Sequence, residues 1–434
     1  MAMKRRLGVV AAVAAAGLLL AGCSGGGAST TASGTPSGTI TVLTNRTDIV
    51  KTTFAKYAKD FEKIYPKVTV KFQAITDYEG EVKTRLNTRS YGDVLLIPNT
   101  VTRKQLPQFF VPLGSVASLK KTYRFVDEQS YQGKGYGVAI TGNAQGLVYN
   151  KKVWAAAGIT DWPTTPDEFI TDLQAIKSKT SAIPYYTNYK DGWPLSQWEG
   201  NRGILGDPEV SNKLVTEDAP WTAGDYHYIA DSLLFNIVHD GLSEKDPLTT
   251  NWENSKTLLG SGKIATMLLG SWAITQMQDA AVKAGGAADD IGYMPFPEQA
   301  NGKFYSTIGG DYKNAISKYS SHKAAALAWI KWFAAKSNYA FDNGGLSPLV
   351  SGKAPTSLAD FDKQGVQYIE LTPPPAANAT LEPDIYNKAE IDLFGNVYRQ
   401  KLVDIARGAA GGTMDSYFAD LNKRWKAAKA EVSN

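Results

Sequence analysis

The feature that most constrains the fold is an alternation of short apolar runs with amphipathic stretches near the start of the chain. Residues 39–44 form a β-prone run, and apolar side chains then recur at helical spacing from about residue 49 to residue 64. A second strand pattern begins at Val68, a helical stretch follows at about 80–88, and residues 93–97 end in a continuous apolar run typical of parallel sheets. This order predicts βαβ units and therefore an α/β lobe.

Two later segments carry clear start signals for helices. Thr165 can cap a helix, Pro166 fits its first turn, and Glu168 can close a capping box. Residues 263–269 have a strand pattern, and the small residues after it predict a turn into a helix at Trp272. The chain therefore continues as a mixture of strands and helices.

The first 22 residues predict an exported protein. Three basic residues at 4–6 precede fourteen uncharged residues at 7–20, which is the order of a secretory signal peptide and too short for a comfortable membrane span. Residues 20–23, Leu-Ala-Gly-Cys, resemble the lipobox of bacterial lipoproteins, which is cut before the cysteine and acylated on it. Cys23 is the only cysteine, so it has no disulfide partner within the chain. The alternative is an ordinary signal peptide with an incidental cysteine.

Composition limits the partners of the mature chain. Residues 23–37 are mostly Gly, Ser, Thr and Ala, which predicts a flexible linker behind a lipid anchor at Cys23. Loss of residues 1–22 lowers the basic count from 46 to 43 against 42 acidic residues, so the mature chain is nearly neutral. It has no stretch dense in Lys and Arg, which argues against a nucleic acid partner. About 400 remaining residues are too many for one core and predict two domains.

Five stretches, taken together, resemble the carbohydrate-binding branch of the solute-binding proteins of ABC importers, the maltose-binding-protein-like lipoproteins. They are YGD at 91–93, YGV at 136–138 with GLVYNK at 146–151, PTTPDEF at 163–169, GKIATM at 262–267 with GSW at 270–272, and PFP at 295–297 with GG at 309–310. The resemblance covers nearly the whole mature chain. It implies two α/β lobes joined by hinge crossings, with a ligand cleft between them.

The resemblance also implies the domain boundaries and the role. The N-terminal lobe would combine residues 38–140 with 306–355, and the C-terminal lobe would combine residues 141–305 with 356–434. Such a protein captures a carbohydrate by cleft closure at the outer face of the cell membrane and delivers it to ABC permease subunits driven by a cytoplasmic ATPase. We expect a monomer that is not an enzyme and needs no cofactor and no metal.

Candidate ligand contacts follow from position relative to strand ends, where open α/β sheets bind their ligands. They are Asn45, Arg46, Tyr78, Asp93, Trp193, Trp198, Trp272, Gly310 and Asp311. For Asn45 and Arg46 the alternative is a loop that only caps a helix. Asp93 is a cleft acid in similar proteins, although a capping role is open. The glycines at 309–310 allow close backbone approach, and Asp311 could bind a hydroxyl group.

The aromatic candidates suit the apolar face of a sugar ring. Residues 185–198 form the densest aromatic segment, and its Pro and Gly residues favour a loop that presents Trp193 and Trp198. Packing in the core is the alternative for both. The resemblance implies a stacking role for Trp272. By contrast, Trp332 and Trp425 lie within helical patterns and are expected in the core.

Other functions remain as alternatives. A secreted glycoside-processing enzyme needs two carboxylates that flank a sugar, and 42 acidic residues leave such a pair open. Within the predicted lobes, residues 38–434, there is no G-x-S-x-G elbow, H-E-x-x-H or P-loop motif, and the three histidines are scattered. Within the binding class, the solute could instead be a peptide, a polyamine or an iron chelate.

Overall fold

The computed structural model describes residue 32 and residues 34–76, 78–392 and 395–432. The predicted signal peptide, Cys23 and most of the predicted linker lie outside the described residues. Within the described part, no helix combines the length and the apolar character that a membrane crossing needs.

Strands and helices alternate along the described chain. The strands are β1 (Gly38–Thr44), β2 (Val68–Ala74), β3 (Val94–Leu96), β4 (Gly114–Ser115), β5 (Ser130–Tyr131), β6 (Lys134–Gly135), β7 (Gly137–Ala139), β8 (Gly142–Ala144), β9 (Leu147–Asn150), β10 (Ile183–Tyr185), β11 (Ile264–Leu268), β12 (Ile291–Met294), β13 (Gln299–Ala300), β14 (Lys303–Gly310), β15 (Lys313–Ile316) and β16 (Gln367–Ile369). The α-helices are α1 (Ala55–Ile64), α2 (Tyr78–Arg85), α3 (Leu106–Phe109), α4 (Val116–Leu119), α5 (Lys151–Ala156), α6 (Pro166–Lys179), α7 (Trp193–Ser196), α8 (Val210–Leu214), α9 (Tyr226–His239), α10 (Trp252–Gly260), α11 (Ala273–Lys283), α12 (Lys323–Lys336), α13 (Tyr339–Asp342), α14 (Ala359–Lys363), α15 (Leu381–Lys388), α16 (Asn396–Ala406) and α17 (Met414–Val432). A π-helical turn at Val50–Phe54 precedes α1, and short 3-10 helices span Arg103–Gln105, Val126–Gln129, Tyr189–Asp191, Gln197–Leu205, Pro247–Thr249, Ala288–Asp290, Thr356–Leu358 and Ala376–Asn378.

The first lobe is built on a five-stranded sheet in the order β2-β1-β3-β15-β7. β1 runs parallel to both β2 and β3, so the predicted βαβαβ start of the chain is confirmed. β15 returns much later in the sequence and pairs antiparallel with β3 and β7. Because β1 to β3 are parallel, the loops after their carboxyl ends meet at one edge of this sheet.

The second lobe is built on a four-stranded sheet in the order β10-β11-β9-β12. β10 is parallel to β11, while β9 is antiparallel to β11 and β12. The predicted strand at 263–269 is β11, and the predicted turn into a helix at Trp272 is confirmed by the start of α11 at Ala273.

The two sheets are connected by crossing strands. β8 pairs antiparallel with β14, with Gly142 opposite Gly310 and Ala144 opposite Ile308. A third crossing lies alongside, because Gly142 and Leu346 exchange two backbone hydrogen bonds of 2.7 and 2.8 Å. The chain therefore passes between the lobes three times at one place.

Two hydrophobic cores match the two sheets. The first draws on residues 40–140 and 315–339, and the second on residues 147–296 and 385–428. Trp332 belongs to the first core and Trp425 to the second, as predicted. A third cluster around the crossings joins them; it includes Phe125, Ala139, Ala144, Ile308, Leu346 and Leu358. The exact lobe boundaries given above stay a prediction, because this cluster belongs to both sides.

Local chemistry explains the start of α6. Thr165 is the N-cap, and its hydroxyl oxygen accepts a hydrogen bond from the Glu168 amide at 3.2 Å. The reciprocal bond of the predicted capping box is displaced by one residue, because the Glu168 carboxylate accepts from the amide and hydroxyl of Thr164, each at 2.7 Å. The helix start is confirmed and the box partner is corrected.

A buried ionic network holds the second lobe together. Arg399 on α16 is fully buried, and its guanidinium donates to Asp231 on α9 at 2.7 Å and to Glu199 at 2.8 Å. Glu199 also binds Arg202, whose other partners include Glu382 on α15. Charges buried in this way are stable only as complete pairs, so the network fixes the relative position of these elements.

Glu244 is a buried carboxyl group of a different kind. Its side chain accepts two hydrogen bonds from Thr187, one from the amide at 2.9 Å and one from the hydroxyl. In the described structure it has no cation within ion-pair distance. Burial raises the pKa of Glu244 from its usual 4.5 to about 7, although the bonds from Thr187 oppose the shift.

We predict that Glu244 lowers the free energy of unfolding as the pH rises. The folded chain keeps the proton that the unfolded chain has lost between pH 4.5 and 7, so stability falls across that interval and stays low above it. Glu244→Gln should remove this fall and be more stable than wild type at pH 8 by up to about 3 kcal/mol. Urea unfolding at pH 5 and pH 8 measures the difference, and an equal gap at both pH values would contradict the prediction.

Candidate functional site

A cavity of about 980 Å³ lies where the two lobes and the crossing strands meet. One wall comes from the loop after β1, the floor from the crossings, and the opposite wall from the start of α11. Its lining residues are Asn45, Arg46, Asp48, Ile140, Thr141, Asn143, Gln145, Trp272, Thr275, Gln276, Gln278, Asp279, Ala288, Asp311, Tyr339, Asp342, Asn343 and Gly345. We call this cavity the cleft.

Arg46 organises the first wall of the cleft. Its Nε and Nη2 atoms donate to the two carboxylate oxygens of Asp48 at 2.8 and 2.7 Å. Its Nη1 atom donates to the Tyr339 hydroxyl at 2.9 Å and to the Asn343 side-chain oxygen at 2.8 Å. The bonds to Asp48 raise the pKa of Arg46 and lower that of Asp48. Arg46 therefore fixes two other lining residues in place.

Three amide oxygens at the cleft lack hydrogen-bond partners. They are Asn45 Oδ1, Asn143 Oδ1 and Gln145 Oε1, and each is shielded from solvent. Buried polar atoms are nearly always paired, and an unpaired one costs about 1–3 kcal/mol. Asn45, Asn143 and Gln145 line this one cavity, whereas the other unpaired buried side-chain atoms of the described structure, such as Asn188 Oδ1 and Ser232 Oγ, belong to residues that do not line it. Among the described residues, no group of His, Cys, Asp and Glu is arranged to hold a metal ion.

Trp272 forms part of a cluster of three indole rings on the opposite wall. Its ring centroid lies 5.9 Å from that of Trp193 and 5.6 Å from that of Trp252, and those two rings lie 5.1 Å apart. Of the three, Trp272 lines the cleft. Trp252 packs edge-to-face on both other rings, and Trp193 is tilted against Trp272. These contacts restrict the tilt of each ring, so Trp272 presents a fixed aromatic surface.

The turn that carries Trp272 is bonded to a crossing strand. Ser271 is buried, its amide donates to the Ala144 carbonyl at 2.8 Å, and its hydroxyl accepts from the Ala144 amide at 3.0 Å. This reciprocal pair locks the position of Trp272 relative to Asn143 and Gln145 on the floor.

The structure brings four of the predicted site residues together. Asn45, Arg46, Trp272 and Asp311 all line the cleft. Asp311 reaches it from the crossing after β14, and its carboxylate accepts a hydrogen bond from the Tyr312 amide at 2.8 Å. These four come from distant parts of the chain, and only the crossings bring them to one cavity.

Trp193, Trp198 and Gly310 do not line the cleft. Trp193 packs against Trp272 and is not among the lining residues. Trp198 is 1% exposed, because it lies in the helical segment after α7 and points its ring into the core beside Phe296. Its prediction as a ligand contact is corrected to core packing.

Gly310 serves the crossing instead of the ligand. A Cβ atom at this position would lie 2.9 Å from the Cβ atom of Phe125 and 3.0 Å from that of Ala139. Its amide donates to Glu128 at 2.8 Å and is therefore already used. Gly310 does allow a close approach to its backbone, but the groups that approach are Phe125 and Ala139 of the protein and not a ligand.

Tyr78 and Asp93 are structural residues. Tyr78 is 4% exposed, and its hydroxyl donates to the Leu96 carbonyl at 3.0 Å and accepts from the Leu96 amide at 2.7 Å. Asp93 accepts from the Thr41 amide at 2.8 Å and from the Ser320 hydroxyl at 2.5 Å. It precedes β3, so it lies at the amino end of that strand, whereas ligands bind at the carboxyl ends. Both predicted ligand contacts are corrected.

Sequence reasoning missed the amides of the cleft. Asn143 and Gln145 stand two residues apart on a crossing, which places both on one face of an extended chain. That spacing of polar residues in a small-residue run was the available signal. Gln276 and Asp279 on α11 and Asn343 after α13 gave no comparable signal, because isolated polar residues on helices are usually solvent-facing.

Comparison with known proteins identifies the family of this chain. A family model of the bacterial extracellular solute-binding proteins matches residues 47–340. The solved structure of BlMnBP1, a binding protein of an ABC transporter from Bifidobacterium animalis subsp. lactis in complex with mannobiose, is 34% identical with a TM-score of 0.81, covering 91% of this chain and 95% of that one. This chain therefore belongs to the bacterial extracellular solute-binding protein family, in its two-lobed fold.

Curated relatives agree with this placement. The multiple sugar-binding protein of Streptococcus mutans is 24% identical over 76% of this chain and 78% of its own length. The diacetylchitobiose binding protein DasA of Streptomyces coelicolor is 26% identical over 94% of this chain and 95% of its own. The similarity thus extends over both lobes.

We predict that Ser271→Ala destabilises the protein by about 1–3 kcal/mol, since it leaves the buried Ala144 amide without an acceptor. The free energy of unfolding in urea measures the loss. Ser261→Ala is the matched control, because Ser261 is exposed and bonds only to carbonyls of its own helix. Equal small effects in both variants would show that the bond between Ser271 and Ala144 does not hold the turn.

Proposed function

We propose that this chain is a lipid-anchored carbohydrate-binding protein that captures an oligosaccharide in the cleft and delivers it to an ABC importer. The observation that carries the proposal is the set of three buried, unpaired amide oxygens beside a fixed indole ring. A sugar offers hydroxyl donors for the oxygens and an apolar C–H face for the ring of Trp272. Few other solutes combine both surfaces.

The size and lining of the cleft support an oligosaccharide. Its volume of about 980 Å³ is at the upper end of the usual range for small-molecule sites, about 300–1,000 Å³. Amide side chains at several positions of the wall can each donate and accept, which suits the paired donor and acceptor character of hydroxyl groups. The relatives described above include proteins named for sugars or solved with one, which agrees with this class of solute.

Closure of the lobes would supply the affinity without any covalent step. The first wall belongs to one lobe and the Trp272 wall to the other, so a ligand that touches both favours the closed state. The crossings at β8, β14 and Leu346 would act as the hinge, as in other two-lobed binding proteins. The permease subunits and their cytoplasmic ATPase would then recognise the closed form, and the sugar should be recovered unchanged.

The binding prediction concerns Trp272. With residues 38–434, calorimetry against β-1,4-mannobiose, β-1,4-mannotriose, N,N′-diacetylchitobiose and maltose should show binding of at least one sugar. Trp272→Ala should weaken that binding at least about tenfold, equivalent to about 1.4 kcal/mol, because the stacking surface is lost.

Trp162→Ala is the matched control. Trp162 is half-buried, packs against Phe304 and Phe361 outside the cleft, and should affect stability but leave affinity unchanged. Folded protein that binds none of the sugars would overturn the carbohydrate proposal.

The anchoring prediction concerns Cys23. Full-length protein made in a bacterial host that processes lipoproteins should incorporate labelled palmitate and partition into the detergent phase. Cys23→Ala should abolish both, because no other cysteine is present in the sequence. Retention of Cys23→Ala in the detergent phase would show that the chain is held at the membrane in another way.

A further inference from the structure

We propose that the cleft selects its saccharide by charge, taking neutral or amine-bearing sugars and rejecting sugars that carry carboxylates. The inference rests on the proposed carbohydrate function and goes beyond it, because the fold does not determine the charge of the solute.

The charged residues that line the cleft are unbalanced. They are four aspartates, Asp48, Asp279, Asp311 and Asp342, and one arginine, Arg46. Their formal charges leave three negative charges in excess on the walls of one cavity. Walls of one sign attract solutes of the opposite sign and repel solutes of the same sign, most strongly when closure expels water.

The single arginine is not available to a ligand carboxylate. The Nε and Nη2 atoms of Arg46 form a two-point ion pair with the Asp48 carboxylate. The Nη1 atom donates to Tyr339 and Asn343. Four of the five N–H donors are engaged, so a two-point ion pair with a sugar carboxylate would have to displace one of these partners, and a displaced Asp48 would face that carboxylate as a like charge.

The other three aspartates have no cation of their own. Among the described residues, no Lys, Arg or His lies within ion-pair distance of Asp279, Asp311 or Asp342. Two lysines near the cleft are already engaged, since Lys56 binds Asp60 at 2.8 Å and Lys313 binds Glu128. These three aspartates therefore form no direct ion pair in the described part of the chain, and the one lysine that acts on them at longer range, Lys56 on Asp342, is bonded to Asp60.

Neighbouring tyrosines respond to this negative charge. Burial is the main cause that raises the pKa of Tyr57, and Asp342 raises it further. Burial likewise raises the pKa of Tyr312, and Glu79 and Asp311 add to the shift. Asp342 and Asp311 thus act on phenol groups beside the cleft, although Arg46 opposes Asp342 at Tyr57.

The unpaired amide oxygens give an independent argument in the same direction. Asn45 Oδ1, Asn143 Oδ1 and Gln145 Oε1 are acceptors, and they can be satisfied by hydroxyl or amine donors. An ionised carboxylate brings acceptors alone, so it offers these oxygens no donor at the position where it replaces a hydroxymethyl group. Hydrogen bonding at that position therefore acts in the same direction as charge.

The test compares stereochemically matched probes by calorimetry on residues 38–434. The pairs are β-1,4-mannobiose with the β-1,4-linked dimer of mannuronate, and N,N′-diacetylchitobiose with its deacetylated, cationic form. We expect the mannuronate dimer to bind at least about tenfold more weakly than mannobiose, about 1.4 kcal/mol, and the deacetylated form to bind no more weakly than the acetylated one. The ratio of the affinity for mannobiose to that for the mannuronate dimer should become smaller as salt rises from about 0.01 M to about 1 M, because salt screens charge.

Asp279→Asn tests the source of the selectivity. Asp279 is exposed on α11 at the cleft wall, and the ratio of mannobiose to mannuronate affinity should fall about threefold when its charge is removed. Asp415→Asn is the control of equal charge change, since Asp415 is exposed on α17 and does not line the cleft. It should leave the ratio unchanged.

The outcomes separate this inference from the proposed function. Binding of the mannuronate dimer within twofold of mannobiose, or in preference to both neutral probes, overturns the charge selectivity while the carbohydrate function stands. A folded protein that binds none of these four probes and neither mannotriose nor maltose overturns both.

Discussion

The pairing of β8 with β14 is the constraint on which the rest of the site depends. β8 continues into β9 of the second sheet, and β14 continues through Asp311 into β15 of the first sheet. One short antiparallel ladder therefore sets the spacing of both sheets and also carries Asn143 and Asp311 to the cleft. Gly310 lets the ladder pack closely against Phe125 and Ala139. The backbone that joins the two sheets therefore also forms the floor of the cleft.

The two walls on either side of that floor are held in place by two different kinds of interaction. Charge-assisted hydrogen bonds from Arg46 fix the first wall, and packing of aromatic rings fixes Trp272 on the second. Little conformational entropy is then left for the solute to remove, which is how preorganisation gains affinity. The cleft lacks hydrogen-bond donors for a few amide oxygens and cations for its excess negative charge. The solute proposed above, which carries hydroxyl or amine groups and no carboxylate, is complementary in both respects.

The sequence was sufficient for elements whose signals are local and failed where burial decided. Thr165 at the start of α6 and the apolar run of β3 are local patterns, and both elements were predicted. Trp198, predicted in a loop, and Tyr78, predicted after a strand end, were misplaced because either kind of side chain can turn inward, and only packing determines its direction. Asn143 and Gln145 escaped notice because their importance comes from lacking partners, which is a property of three-dimensional neighbours.

Each core is completed by a segment that is distant in sequence. The first core needs residues 315–339, and the second, begun at residue 147, is closed by α15 to α17 near the carboxyl end. A chain emerging amino end first cannot bury either core until most of it has been synthesised, and such long-range contacts make folding slow. The export proposed above would benefit from this discontinuity if the chain crosses the membrane unfolded, because neither core can close early in synthesis.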